Sequence, residues 1–523
     1  MSEYNEKNEG GIFDAPKERY TAKKKHKSDF KRQIRVFVIV LLAALIALLS
    51  YMFIIKPIVE HTEVVQEELP TLLDGEVLGP QNRILIMDYL KKDDILSVDV
   101  HNKYGDWGFE YDEEDDEFYL KGNKSAAYDK EMLQKLLTAA GYVLSMERIT
   151  DRAENFSEYG LSDLDNPSWY VLTDREGNSH KLYIGDLLPS NSGYYVRYDT
   201  RDAVYVLDYT ISETLLAPVE AMISPLLAFP AGNNAYHMIT NFALKRDGEM
   251  IIALEYIDEE ERVRIGSSIS HRFIYPEEYT PSDTVYLPVF SKFTGFMGQS
   301  TLVYQPELED IQKYKLDTPK YDLYFEYMGI PSNVIFSAKN ENGNYYAYSP
   351  VFDIISEVAA ENAKWLDYDL IEWIERPILQ VDIKTVDEIT VERGNEKYSF
   401  GLESNENELL SVTDLAKAQE IADKENFKKF YQTILMTELQ GYAELTSDQK
   451  TELINNGEEV SLTVKFKNGD KREYKFYPYE TRKSLFTVDG SGEFYVVRDR
   501  MTKIADDAKK AINSEKVVPD ANN

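Results

Sequence analysis

The chain contains no cysteine. That excludes disulfides, thiol catalysis, cysteine-ligated zinc and anchoring through a lipidated cysteine. Histidine is nearly as scarce. The residues His26, His61, His101, His180, His237 and His271 include no two spaced to share one metal. A zinc enzyme or a Ser-His-Asp hydrolase therefore lacks its raw material. No G-x-S-x-G elbow occurs, and Gly490-Ser491-Gly492 reads as turn chemistry at a hairpin tip. No Walker sequence occurs either, since the small-residue stretch from Gly295 to Thr301 lacks the P-loop lysine. Basic residues are outnumbered, 58 against 92 acidic, for a net charge of −34. So acidic a chain argues against nucleic acid as a partner and against docking on anionic lipid headgroups.

Long apolar runs are absent but for one. Residues 36–55, VFVIVLLAALIALLSYMFII, are long enough to predict a transmembrane helix. The cluster Lys23, Lys24, Lys25, Lys27, Lys31, Arg32 and Arg35 before it predicts a cytoplasmic N-terminus, with everything beyond the run outside a single-pass cell-membrane protein. Residues 1–35 then form a basic cytoplasmic tail, and 56–81 a juxtamembrane stalk punctuated by proline and glycine. Ala43, Ala44 and Ala47 are small enough to permit close packing of the anchor against another helix. An outward-facing domain of this size without cysteine suits a Gram-positive bacterium.

Beyond residue 82 the pattern is α+β, and it repeats. The segments 95–100, 106–115 and 117–122 alternate as strands, and 129–142 is an amphipathic helix with Gly141 placed for a left-handed cap. Hairpins follow at 169–185 and 192–208, the first turning at Glu176-Gly177-Asn178, and a closing helix runs from Thr210 to about Leu227. From Leu379 the same order returns, with a helix over 424–442 and a hairpin turning at Asn468-Gly469. The middle is a more divergent copy that ends in a helix over 351–366. Three tandem antiparallel-sheet-plus-helix modules are predicted, over 82–230, 231–376 and 377–513, with a tail at 514–523.

The stretch YGLSDLDNPSWYVLTDREGNSHKLYIGDLLPSNSGYYVRYDTRDAVYVLD at 159–208 carries a family likeness. Its Tyr-Gly-Leu opening, the proline before a strand, Ile-Gly after the second strand, and Gly-x-Tyr-Val-Arg resemble the bacterial domain-of-unknown-function family 4340. The third copy lacks the Tyr-Gly-Leu element. The resemblance implies a membrane-anchored protein with tandem copies, encoded beside ABC-type transporter subunits of the gliding-motility or auxiliary-transport kind. It implies no activity.

The expected function is thus a non-catalytic extracellular accessory or scaffold of an ABC-type transport system, without a cofactor, whose partners are the membrane and permease or ATPase subunits. The alternative is a module that binds cell-wall glycan or senses it. For that, the 38 tyrosines offer an aromatic platform, with Tyr194, Tyr195 and Arg197 as its candidate binding residues. Arg197 is expected to hold an anionic group or to form a cross-strand ion pair. The acidic runs 112–117 and 258–261 lack the register of a calcium loop and read as solvated tips.

Overall fold

Alternating apolar and polar residues put one face of each strand into a core, and the described part of the chain is dominated by sheets built this way. A computed structural model describes residues 29–52, 69–229, 238–265, 269–293, 295–327 and 329–518. The basic tail before Asp29, residues 53–68 of the expected anchor and stalk, and His237 lie outside the described residues. Residues 1–71 and 72–523 form two separate units.

In the second unit, a short hairpin of β1 (Val77–Leu78) and β2 (Ile84–Leu85) precedes the first module. That module contains β3 (Ile95–Asn102), β4 (Gly105–Asp112), β5 (Glu117–Leu120), β6 (Glu147–Thr150), β7 (Ser168–Asp174), β8 (Ser179–Leu187), β9 (Gly193–Tyr198) and β10 (Val204–Asp208). They form one antiparallel sheet in the order β5-β4-β3-β7-β8-β9-β10-β6. Val98, Val100, Tyr170, Leu182, Ile184 and Val196 line its inner face. Against that core packs α2 (Lys130–Gly141), capped by Asp129, whose carboxylate accepts from the Glu131 and Met132 amides. The closing helix α3 (Tyr209–Leu215) is shorter than expected. Gly141 is not left-handed. It is glycine because a Cβ there would come within 2.3 Å of the Leu90 carbonyl oxygen.

The second module has β11 (Ile239–Arg246), β12 (Glu249–Tyr256), α4 (Glu259–Ile265), β13 (His271–Tyr275), α5 (Asp283–Lys292), β14 (Ser300–Tyr304) and α6 (Leu308–Lys313). It continues with β15 (Tyr321–Tyr327), β16 (Ile330–Phe336), β17 (Tyr345–Ser349), β18 (Ile354–Val358) and α7 (Leu370–Trp373). The third has β19 (Val386–Arg393), β20 (Glu396–Ser404), β21 (Leu409–Asp414), β22 (Gln419–Glu420), α8 (Lys424–Leu435), β23 (Leu439–Tyr442) and α9 (Ser447–Asn455). It ends with β24 (Val460–Phe466), β25 (Lys471–Pro478), β26 (Lys483–Val488), β27 (Phe494–Val497) and α10 (Arg498–Ile512). Their orders are β13-β12-β11-β15-β16-β17-β18-β14 and β22-β21-β20-β19-β24-β25-β26-β27-β23. All three sheets share one topology, with β22 as an extra edge in the last.

Two expected helices change state. Residues 351–366 are not one helix. Ile354–Val358 is a strand hydrogen-bonded between β17 and β14, its two β-branched isoleucines fully buried. The helix expected over 424–442 stops at Leu435, and Gly441-Tyr442 belongs to edge strand β23. Gly141 ends α2 whereas Gly441 lies in an edge strand, so the two glycines are not structural equivalents, although the modules are.

The linkers are part of the sheets they enter. Leu85 bridges to Leu144 just before β6, Leu226 to Met297 before β14, and Pro377 to Glu438 before β23. Each incoming segment thus pairs beside the far-edge strand of its own module. One continuous hydrophobic core runs through all three sheets. Between the first two modules, Leu227 and Ala228 donate to the Phe296 carbonyl, and Asn123 donates to the Tyr304 hydroxyl at 2.7 Å. Between the last two, the Tyr279 ring meets Phe494 and its hydroxyl accepts from the Glu493 amide at 3.2 Å.

The N-terminal transmembrane helix is not supported. The first unit's helix, α1, spans Asp29–Ser50 and begins among the charges before the apolar run, whose residues 53–55 lie outside the described residues. No helix among the described residues is long and apolar enough to cross a membrane. Ala43, Ala44 and Ala47 are exposed on this helix, and the packing expected of them belonged to a membrane span.

Candidate functional site

The outward face of the first sheet carries a row of rings and cations one residue wide. Strand pairing sets it: His101 on β3 stands opposite Trp169 on β7, Trp169 opposite Tyr183 on β8, and Tyr183 opposite Arg197 on β9. Because side chains alternate, all four point away from the core that Val100, Tyr170, Leu182 and Val196 fill. Side by side at a strand spacing of about 4.8 Å, the rings meet face to face or trap a cation between them.

The contacts follow that order. His101 stacks on Trp169 with centroids 5.2 Å apart and planes 14° apart. The Lys181 ammonium, two residues before Tyr183 on the same face, lies 4.4 Å from the Trp169 centroid and 4.5 Å from that of Tyr183. The Arg197 guanidinium carbon lies 4.5 Å from the Tyr183 centroid and 4.5 Å from that of Phe156. At the far end, His101 Nδ1 is 2.5 Å from Asp106 Oδ1.

Among the described residues, Arg197 therefore makes no cross-strand ion pair. Two rings sandwich it, and its Nε is buried with no hydrogen-bond partner among the described residues. Tyr195 shares its face and meets Tyr159 edge-on at 5.1 Å. Tyr194 does not belong to this group. It points to the opposite side, donates to Glu213 Oε1 at 2.5 Å and stacks beside Tyr209. Burial, then the hydrogen bond to that carboxylate, pushes its hydroxyl up to about 12. Sequence reasoning missed Trp169 and Lys181, took Tyr183 only as one of the strand tyrosines and His101 only as a histidine without a metal partner; the spacing-of-two pair Lys181-x-Tyr183 was the signal for the cation.

The family-like motif holds this row in place. Gly160 is left-handed at φ 65° and ends the turn Phe156–Tyr159 that brings Phe156 over Arg197. Gly185 lets that turn lie on the sheet, since a Cβ there would sit 2.2 Å from the Tyr159 carbonyl oxygen. The second module keeps the device. Lys315 takes the left-handed place at φ 58°, Leu316 is buried as Leu161 is, and Tyr314 meets Tyr346 edge-on at 4.8 Å.

The first acidic run is an anchored tip, whereas the second is no tip: it opens α4, where the Asp258 carboxylate accepts from the Glu261 amide at 2.8 Å. Lys124 joins Asp112 and Asp115 at 2.6 Å each, and its hydrogen bonds hold both carboxyls below their usual range. Among the described residues no group of three histidine, aspartate or glutamate side chains could hold a metal ion. A cleft of about 740 Å³ lies where the second module meets the third, lined among others by Lys364, Trp365, Tyr368, Ile371, Arg376 and Glu438.

Residues 119–264 and 297–456, more than half of the chain, match the family described as Domain of unknown function (DUF4340). The chain belongs to this family. Neither DUF4340 match coincides with a sheet. The first runs from β5 of one sheet into α4 beside the next, and the second from just before β14 to α9. No curated protein and no solved structure matches the chain.

Proposed function

We propose that this DUF4340 protein is a non-catalytic scaffold, an accessory of an ABC-type transport assembly on the outer side of a bacterial cell membrane, with permease and ATPase subunits as its partners. The observation that carries this reading is the fusion of three sheets of one topology into a single core through linkers that pair with the sheet they enter. Such a body acts as a rigid spacer that holds its surfaces at fixed positions, and rigidity along a repeat array is what a scaffold needs. The family's likeness to proteins encoded beside ABC-type subunits supplies the context.

The test is copurification. Affinity-tagged full-length chain, cross-linked in cells before extraction, is expected to bring down the permease and ATPase encoded by adjacent genes. A chain recovered without either subunit would overturn the reading. The alternative, a glycan platform, has less support. A sugar needs open ring faces, and those of Trp169 and Tyr183 are contacted by His101, Lys181 and Arg197.

A further inference from the structure

The modules share a fold closely enough for each position of the row to be read in the other two. The strands β3, β11 and β19 begin at equivalent buried residues, Ile95, Ile239 and Val386, and the pairing across each sheet keeps the same register. The place of His101-Trp169-Tyr183-Arg197 is taken in the second module by Lys245-Asp322-Ile335-Tyr348. In the third it is taken by Glu392-Ser461-Lys475-Thr487. Neither contains a stacked ring or a sandwiched cation. The fold builds the same sheet without the row, so the row is not a requirement of the fold.

Its chemistry is specific. Rings that meet face to face across strands turn their edges outward, and the edge of an aromatic ring is its positive part. Between those edges stand Lys181 and Arg197. Neither is paired with a carboxylate among the described residues, in a chain where acids outnumber bases 92 to 58. Lys475, at the Tyr183 place in the third module, does lie beside carboxylates, Glu458 and Glu473. The row is thus a positive stripe on an acidic protein, about 14 Å long across four strands. Its guanidinium is held between two rings, and a guanidinium is suited to bidentate capture of a carboxylate. Tryptophan, tyrosine and arginine together are also the residue types that carry most of the energy in protein–protein interfaces.

We propose that the outward row of the first module, with Lys181 and Arg197 between the rings of Trp169, Tyr183 and Phe156, is a docking surface for an acidic polypeptide segment of a partner protein. The segment lies across the strands, its carboxylates on the two cations and its side-chain stems along the ring edges. This rests on the scaffold reading above and names the surface that such a scaffold would present.

The experiment measures binding of a fluorescein-labelled deca-glutamate peptide to the full chain by anisotropy at low salt. The expected result is saturable binding that Lys181→Gln with Arg197→Gln weakens by about tenfold or more. Lys475→Gln, at the Tyr183 place in the third module, should leave it unchanged. Lys181→Gln alone, which leaves the Arg197 sandwich in place, should weaken it by a smaller factor. No binding, equal loss in the Lys475 variant, or indifference to Lys181→Gln would overturn the proposal. So would tighter binding of polygalacturonate than of the peptide, which would assign the stripe to a polysaccharide. A chain that copurifies with permease but ignores the peptide defeats only this proposal. One that binds the peptide but no permease defeats only the scaffold reading.

Discussion

Tyr183 and Arg197 face each other across β8 and β9, with the guanidinium carbon 4.5 Å from the ring centroid. The arginine is held by rings rather than by charge, so its removal is felt as lost packing. Arg197→Ala is expected to lower stability by about 1–2 kcal/mol, two cation–π contacts at about 0.5–1 each. Arg197→Lys should recover only part of that, because an ammonium is not planar. Urea unfolding midpoints check both.

Glu76 ties the segment before the first module to its core. Burial alone would raise its carboxyl. Hydrogen bonds from the Tyr205 hydroxyl, the Leu73 amide and Arg148 outweigh that and hold it below the ordinary 4.5. A carboxyl lowered in the folded state stabilises fully above its unfolded value, and that stabilisation is lost as pH falls through the folded value. Protease cleavage within residues 72–90 should therefore accelerate as pH drops from about 5 toward 3. Glu76→Gln should cleave faster at neutral pH, at a cost of about 2 kcal/mol, and lose this acid dependence.

Gly185 and Gly177 separate two reasons for glycine. A methyl group at 185 would strike the Tyr159 backbone, whereas at 177 nothing lies within 4 Å and only the left-handed φ of 85° is strained. Gly185→Ala should cost about 2 kcal/mol or more and loosen the turn over Arg197. Gly177→Ala should cost about 1 kcal/mol and leave that turn intact. Thermal melts and Trp169 fluorescence distinguish the two.

Residue-level packing also predicts how the body unfolds. With one core through all three sheets, residues 72–518 should melt in a single transition. Tyr279→Ala, which removes the ring against Phe494 and the hydroxyl beneath the Glu493 amide, should cost about 3 kcal/mol and split off the third module as a separate transition. Differential scanning calorimetry reads both.

Much of the fold was legible because its signals are local. Alternation marked β3, β7 to β9 and β24 to β26, and Gly177 and Gly469 stand left-handed in the turns expected of them. What failed was decided by tertiary contacts. Ile354–Val358 has a pattern that suits a buried strand or a helix face alike, and only its neighbours choose. Pro288 inside α5 hid that helix, and edge strands as short as β6 and β23 carry too little pattern to be seen. The apolar run was read from its length and its flanking charges, whereas no helix among the described residues is long and apolar enough to cross a membrane. Arg197 was visible as an unusual cation among tyrosines. Its neighbours were not, because Trp169 and His101 reach it only through the register of four strands.

The bridges at Leu85, Leu226 and Pro377 have an evolutionary consequence. A gene segment cut at the limits of one sheet would deliver a module without the strap that lines its far edge, and would leave its neighbour with a loose end. Growth by duplication has to copy a segment out of phase with the folded unit, carrying the end of one sheet and the start of the next. Both family matches straddle sheets in that way.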